Sequence, residues 1–155
     1  MPLLMIFTGV PLLGWAKPTP VDPRRFKNLR QGQIIVSGAG PVSNLLLALL
    51  CTAGLYVALR VLPGPAPDQP LIRLLLLGVQ LNVLLAIFNL VPLPPLDGSH
   101  VLEWALPNGM GHRYMRAIAP YGGFILLALV MSGALFTVLS PVLNFVLGIL
   151  YSLVR

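Results

Sequence analysis

Charge is scarce in this sequence. Charged residues make up 9% of the 155 positions, and only Asp22, Asp68, Asp97 and Glu103 are acidic. Soluble domains carry about a quarter charged residues. A water-soluble globular domain is therefore excluded, and a chain that is 57% hydrophobic with a mean hydropathy of +0.88 reads as an integral membrane protein. Cysteine is almost absent. Cys51 stands alone in an apolar run, which excludes a disulfide framework and a cysteine-rich metal site, and reads as a small buried hydrophobe. No GxxxxGK[ST] run occurs, so a P-loop is excluded. The formal net charge is +6, but the bases lie mainly in one stretch beside the first span. Topology and attraction to anionic lipid account for them, so membrane lipid is an expected partner and nucleic acid is not.

What is present is a series of apolar runs divided by proline and glycine. Met1 to Leu13 is apolar but interrupted by Pro2 and Pro11. It is too short to cross as one straight helix, because a span needs about 20 residues, and it lacks the basic start and small-residue cleavage site of a signal peptide. It reads as a re-entrant hairpin or as the tail of something larger. The stretch 14–32 holds Lys17, Arg24, Arg25, Lys27 and Arg30 together with Pro18, Pro20 and Pro23. Proline enforces extended backbone, so an extended or β-like loop at the membrane surface is expected here.

The first convincing span is Gln33 to Leu62, which carries small residues that admit close helix contact. Pro41 marks its first turn or a kink. PGPAPDQP at 63–70 is a tight turn, and Leu71 to Val91 is the second span, with Gln80, Asn82 and Asn89 as its polar residues. A short helix is expected over 98–106, then a basic loop with His112, Arg113 and Arg116. The third full span is expected over 120–139. Ser140-Pro141 reads as a turn or kink before a final apolar helix, 142–154, too short to cross untilted. The expectation is thus an all-α polytopic membrane protein. It has three full transmembrane helices and a short C-terminal apolar one, and 1–155 forms a single membrane-embedded unit: 1–32, then a motif-bearing core at 33–106, then C-terminal helices at 107–155. If 17–30, 94–119 and the C-terminus face the cytoplasm, that side holds eight of the ten Lys and Arg residues. The positive-inside rule then places the basic loops 17–30 and 112–116 in the cytoplasm.

The stretch that organises the chain is Asn89-Leu90-Val91-Pro92-Leu93-Pro94-Pro95-Leu96-Asp97-Gly98. Proline lacks an amide hydrogen and clashes with the preceding turn, so the helix entering at Leu71 should break over 91–97 and restart at Asp97 or Gly98. In lipid, freed backbone groups are tolerated only where protein or a water-filled cavity satisfies them. An ionisable group at such a break is a functional-site hypothesis. Asp97 has a plainer reading as a helix N-cap, and the two readings are compatible. Asn44 and Asn89 either bond across helices or present amides to an extended peptide or a developing oxyanion. Asp97, His100 and Glu103 recur at i, i+3 and i+6 and reach one helix edge. The alternative is that Ser99 and His100 fill the first turn and that Glu103 snorkels to the interface or pairs with Arg113 or Arg116.

Three stretches carry a family resemblance. NLVPLPPLDG resembles the third metal-ligand motif of the site-2 protease family of intramembrane zinc metalloproteases. GWAKPTPVDP at 14–23 is similar to a loop of that family's compact bacterial branch, and Ser37-Gly38-Ala39-Gly40-Pro41-Val42-Ser43-Asn44 resembles its GPxxN helix. The resemblance implies an enzyme that uses zinc to hydrolyse peptide bonds in transmembrane substrates within a bacterial-type cytoplasmic membrane. It also implies Asp97 as the carboxylate ligand, with Asn44 and Asn89 beside the cleft. The family's other two ligands and its general base come from an HExxH helix, and no HExxH occurs in this sequence, where the histidines are His100 and His112. The expectation is therefore a domain that is N-terminally truncated relative to the family and inactive by itself. The alternative is a non-catalytic membrane module, either a pseudo-protease or a fragment completed by a partner, that binds transmembrane segments. A small transporter or channel subunit would suit the broken span alone.

Overall fold

The computed structural model describes residues 29–62 and 69–154. They form five helices and no strand: α1 Leu29–Val61, α2 Pro70–Asn89, α3 Asp97–Ala105, α4 Met110–Met131 and α5 Ala134–Ser152. Residues 29–32, expected in the extended stretch, open α1 instead. No proline follows Pro23 until Pro41, and Leu, Arg and Gln are good helix formers, so the helix propagates back from the apolar run. The rest of the proposed loop, 14–28, and the segment 1–13 lie outside the described residues.

Among the described residues four helices are long and apolar enough to cross a membrane: α1, α2, α4 and α5. The protein is an integral membrane protein with an all-α fold. Helix boundaries in the C-terminal third differ from expectation. Pro120 and Pro141 lie inside helices, where neighbouring groups and local adjustment accommodate them in lipid. The chain turns instead at Ser132-Gly133. Gly133 has φ 73°, a left-handed conformation glycine adopts without a Cβ clash, and the Ser132 and Gly133 amides donate back to Ala128 and Val130. This leaves 19 residues for α5, enough for a full crossing. His112, Arg113 and Arg116 stand on the first two turns of α4 and not in a loop. The loop is shorter, and Asn108 and Gly109, at φ 55° and 70°, make it.

The break itself closes its own backbone accounts. Between Leu90 and Leu96 the residues with an amide hydrogen are Leu90, Val91, Leu93 and Leu96, and all of them donate. Leu90 bonds to Ala86 and Ile87, Val91 to Phe88 at 3.1 Å, Leu93 to Val91 at 2.8 Å and Leu96 to Leu93 at 2.9 Å. Pro92, Pro94 and Pro95 have no donor to satisfy. The Pro94–Pro95 peptide is cis. The Tyr114 hydroxyl on α4 donates to the Pro92 carbonyl, so an acceptor in the break is also bonded. A chain that leaves helical geometry here thus exposes few unpaired polar groups.

α1 packs mainly on α2, and also on α3; α5 folds back on α2, and α4 bridges α3 and α5. The core is small: Ala48, Val79, Val83 and Leu150 are buried, ringed by Cys51, Ile87, Leu143, Val146, Leu147 and Tyr151. Gly78 lets α2 approach α1 closely, since a Cβ there would stand 2.7 Å from the Cys51 sulfur. The outer faces are apolar and open, with Phe124 and Met131 each nearly four-fifths exposed. On a membrane helix that is the face lipid covers, where dispersion packing and not burial from water holds helices together.

Candidate functional site

Asp97 opens α3, and its side chain is not the cap. The N-cap is Leu96, in extended conformation, with no side-chain hydrogen bond to the first turn. The carboxylate is half-buried and turned onto α1. Its Oδ2 stands 2.8 Å from the place a Cβ would take at Gly40. Gly40 is therefore the cradle: the missing side chain is the room the carboxylate uses. Pro41, next to it, is fully buried. Asn44 lies one turn further along the same face of α1, about 6 Å by helix rise.

Three close approaches hold Asp97 in place. A Cβ at Gly98 would collide with the Leu90 carbonyl and stand 2.6 Å from the Val91 oxygen, so α3 starts pressed against the end of α2. A Cβ at Gly122 would strike the Pro94 carbonyl, and one at Gly111 the Glu103 carbonyl. α4 thus lies against both the break and α3. Ser99 is fully buried, and its hydroxyl donates to the Leu96 carbonyl at 2.7 Å.

Asn89 is the last residue of α2 and is half-buried. The amide of Asn82 donates to the Gly78 carbonyl of its own helix at 2.8 Å. The side chains of Asn44, Asn89 and Asp97 make no such bond among the described residues. The structure thus brings Asp97 onto α1 a turn from Asn44, and leaves Asn89 where the helix ends.

The i, i+3, i+6 set does not assemble around Asp97. Glu103 turns the other way and receives both imidazoles: His100 Nδ1 at 3.4 Å and His112 Nδ1 at 2.6 Å. Nor does Glu103 bond Arg113 or Arg116. His112 also meets Trp104 edge to face, with ring centroids 5.1 Å apart. The sequence reading missed His112 as a partner because it placed that residue in a loop. The signal was the Asn108-Gly109 turn, which returns the chain onto α3 three residues later.

Among the described residues no group of three His, Cys, Asp or Glu side chains is placed to hold a metal ion. Asp97 supplies one carboxylate, and catalytic zinc takes three protein ligands. The described residues by themselves do not fit a zinc ion.

A helical fold with four membrane-length helices among the described residues, a span broken at LVPLPPLDG and a half-buried aspartate turned onto the GPxxN helix agree with the resemblance to the site-2 protease family. The chain matches the model for Peptidase family M50 over residues 57–132, and by this match and the relatives below it is a homologue of that family. It is 38% identical over 144 residues to the protein named "Putative zinc metalloprotease YwhC" of Bacillus subtilis, covering 92% of this chain and 64% of that protein. It is 44% identical over 68 residues, 44% of this chain and 16% of the relative, to "Putative zinc metalloprotease sll0528" of Synechocystis. It is 33% identical over 66 residues to "Putative zinc metalloprotease MJ0611" of Methanocaldococcus jannaschii, covering 43% of this chain and 31% of that protein. The chain thus spans less than two thirds of the length of each of these relatives. No solved structure matches it.

Proposed function

We propose that this chain is the motif-bearing core of a site-2-protease-like intramembrane zinc metallopeptidase, an enzyme class that hydrolyses peptide bonds in transmembrane substrates. In this reading Asp97 is the carboxylate ligand, and Asn44 and Asn89 meet the substrate backbone. One observation carries it: a half-buried carboxylate at a helix break, cradled by Gly40 and without a hydrogen-bond partner among the described residues. Such a group at membrane depth is costly and calls for a cation or a donor. The sequence contains no His-Glu-x-x-His, so the remaining ligands and the base must come from outside these 155 residues, and this polypeptide alone does not cleave peptides. The basic segments 17–30 and 112–116 face the cytoplasm.

Metal analysis tests the reading. Purified alone, the chain carries no stoichiometric zinc. Co-produced with a membrane segment of a relative that bears His-Glu-x-x-His, it acquires one zinc per chain, and Asp97→Ala loses it. If zinc is still absent with the segment bound, or survives Asp97→Ala, the ligand assignment is wrong. The absence of His-Glu-x-x-His favours a second reading, a non-catalytic module that binds transmembrane segments. Capture of a transmembrane peptide that is unaffected by Asp97→Ala and by chelator would support that one.

A further inference from the structure

α1 carries a second feature, on its side away from the aspartate. A groove of about 510 Å³ lies between α1 and the end of α5, and among the described residues its walls are Leu49, Thr52, Ala53, Tyr56, Val57 and Leu153. Leu49 follows Gly40 by nine residues, about two and a half turns, so the groove opens on the opposite face of the helix from Asp97. Positions 49, 53, 56 and 60 repeat at helical spacing and form one stripe, so the groove leads along α1 to Arg60. The Arg60 guanidinium stands over the Tyr56 ring, 4.8 Å from its centroid. We propose that this groove binds one phospholipid of net negative charge, with an acyl chain against Leu49, Ala53 and Val57 and the phosphate on Arg60. None of these residues belongs to the metal reading, so the two stand or fall separately.

Charge and depth together select that occupant. Arg60 makes no ion pair among the described residues, whose acids, Asp97 and Glu103, both lie on α3. Guanidinium presents a planar fork of donors that matches a phosphate, and its contact with Tyr56 restrains it at the end of the groove. A net anionic headgroup brings no cation of its own to oppose it, whereas a zwitterionic one does. From Leu49 to Arg60 the stripe runs 11 residues, about 16 Å of helix rise. That is close to half of a hydrocarbon layer of about 30 Å, the depth of one leaflet from chain end to headgroup. A crossing peptide helix would need a groove about twice as long.

The walls ask for nothing polar. Thr52 is buried, and its hydroxyl donates to the Ala48 carbonyl at 2.8 Å, so it is satisfied within α1. Leu49, Val57 and Leu153 are about half exposed, and on helices of membrane length that exposure is to lipid. Ala53 leaves the room between them. A chain seated there gains dispersion contacts on several sides, more than a flat helix face offers.

Photolabelling tests the proposal. The full chain, in nanodiscs of mixed phosphatidylcholine and phosphatidylglycerol, receives a trace of either lipid carrying a diazirine on one acyl chain, and labelled peptides are located by mass spectrometry. Label should concentrate in 49–57 and at the end of α5. The phosphatidylglycerol probe should label these about fivefold more than the phosphatidylcholine probe, the preference that one cation beside an anionic lipid confers. Arg60→Gln should bring the two probes level. Arg73→Gln, which removes a cation at the start of α2, should leave the ratio unchanged. Ala53→Phe fills the groove and should cut labelling by both probes. Ala53 is exposed, so its variant keeps the core, and circular dichroism checks the helix content of all three. Equal labelling by the two probes, label spread evenly over the outer faces, or a preference that survives Arg60→Gln would each overturn the proposal. So would a dimer in the native mass spectrum with the groove unlabelled, which would give the groove to a second copy of the chain.

Discussion

Gly98→Ala is the sharpest test of how the break is held. The added methyl would overlap the Leu90 carbonyl and lie 2.6 Å from the Val91 oxygen. Both obstacles are backbone and are fixed by the hydrogen bonds of the break. Ordinary contact needs about 3.4 Å, so to clear the Leu90 carbonyl α3 must withdraw by more than 1 Å or the turn must open. Overpacking of this kind costs about 1–3 kcal/mol. Alanine's helix propensity returns at most about 1 kcal/mol, and less in a first turn. A net loss of about 2 kcal/mol corresponds to roughly a 30-fold fall in the folded-to-unfolded ratio. Gly38→Ala is the matched control, since a Cβ there meets nothing within 4 Å. It should be neutral or stabilising by up to about 1 kcal/mol. Unfolding by denaturing detergent, followed by circular dichroism, compares the two directly. If both variants shift stability by the same amount in the same direction, α3 does not bear on the end of α2 and the geometry argued here is wrong.

Other outcomes follow from the same packing. Tyr114→Phe removes the bond to the Pro92 carbonyl and should cost about 0.5–1.5 kcal/mol, with faster amide exchange confined to the break. Val83→Ala opens a cavity in the fully buried core. Lipid is as apolar as the core, so only lost packing counts, and the cost in a denaturing-detergent titration should be about 1–2 kcal/mol. Gly40→Ala forces the flexible end of Asp97 to move. It should change stability by less than about 1 kcal/mol yet reduce zinc in the co-production assay. For sidedness, Arg113→Cys and Arg60→Cys, each with Cys51→Ala, should be labelled by an impermeant maleimide from opposite faces, Arg113→Cys from the cytoplasm.

The parts of this architecture most legible from sequence are those that proline and hydropathy control locally. The end of α2 at Asn89, two residues before the expected Val91, and the restart at Asp97 follow from Pro92, Pro94 and Pro95, whose lost amides stop the helix. The C-terminal third was harder to read for the same reason. Starting the third span at Pro120 and reading Ser140-Pro141 as a turn or kink treats proline as a boundary, whereas in lipid it is tolerated within helices. The weaker signal at Ser132-Gly133, a left-handed glycine, was decisive. At the site, Asp97, His100 and Glu103 do share one short helix, but the i, i+3, i+6 spacing does not gather them on one edge, because Asp97 turns onto α1. It could not say that Glu103 faces α4, because that depends on a turn at Asn108-Gly109 bringing a non-neighbouring histidine back. The Gly40 cradle was invisible as well: a glycine in a span permits close approach, but only tertiary structure names what approaches.

The length of α1 has its own consequence. Its 33 residues extend about 50 Å, against a hydrocarbon layer of about 30 Å. Even a tilt of about 40° uses only some 39 Å of that, so part of the rod stands clear of the acyl chains. Asp97 rides on this rod through Gly40. A mismatch of this size is taken up by tilt, kinking or local thickening of the bilayer, and Asp97, set against Gly40, shares whatever tilt α1 adopts.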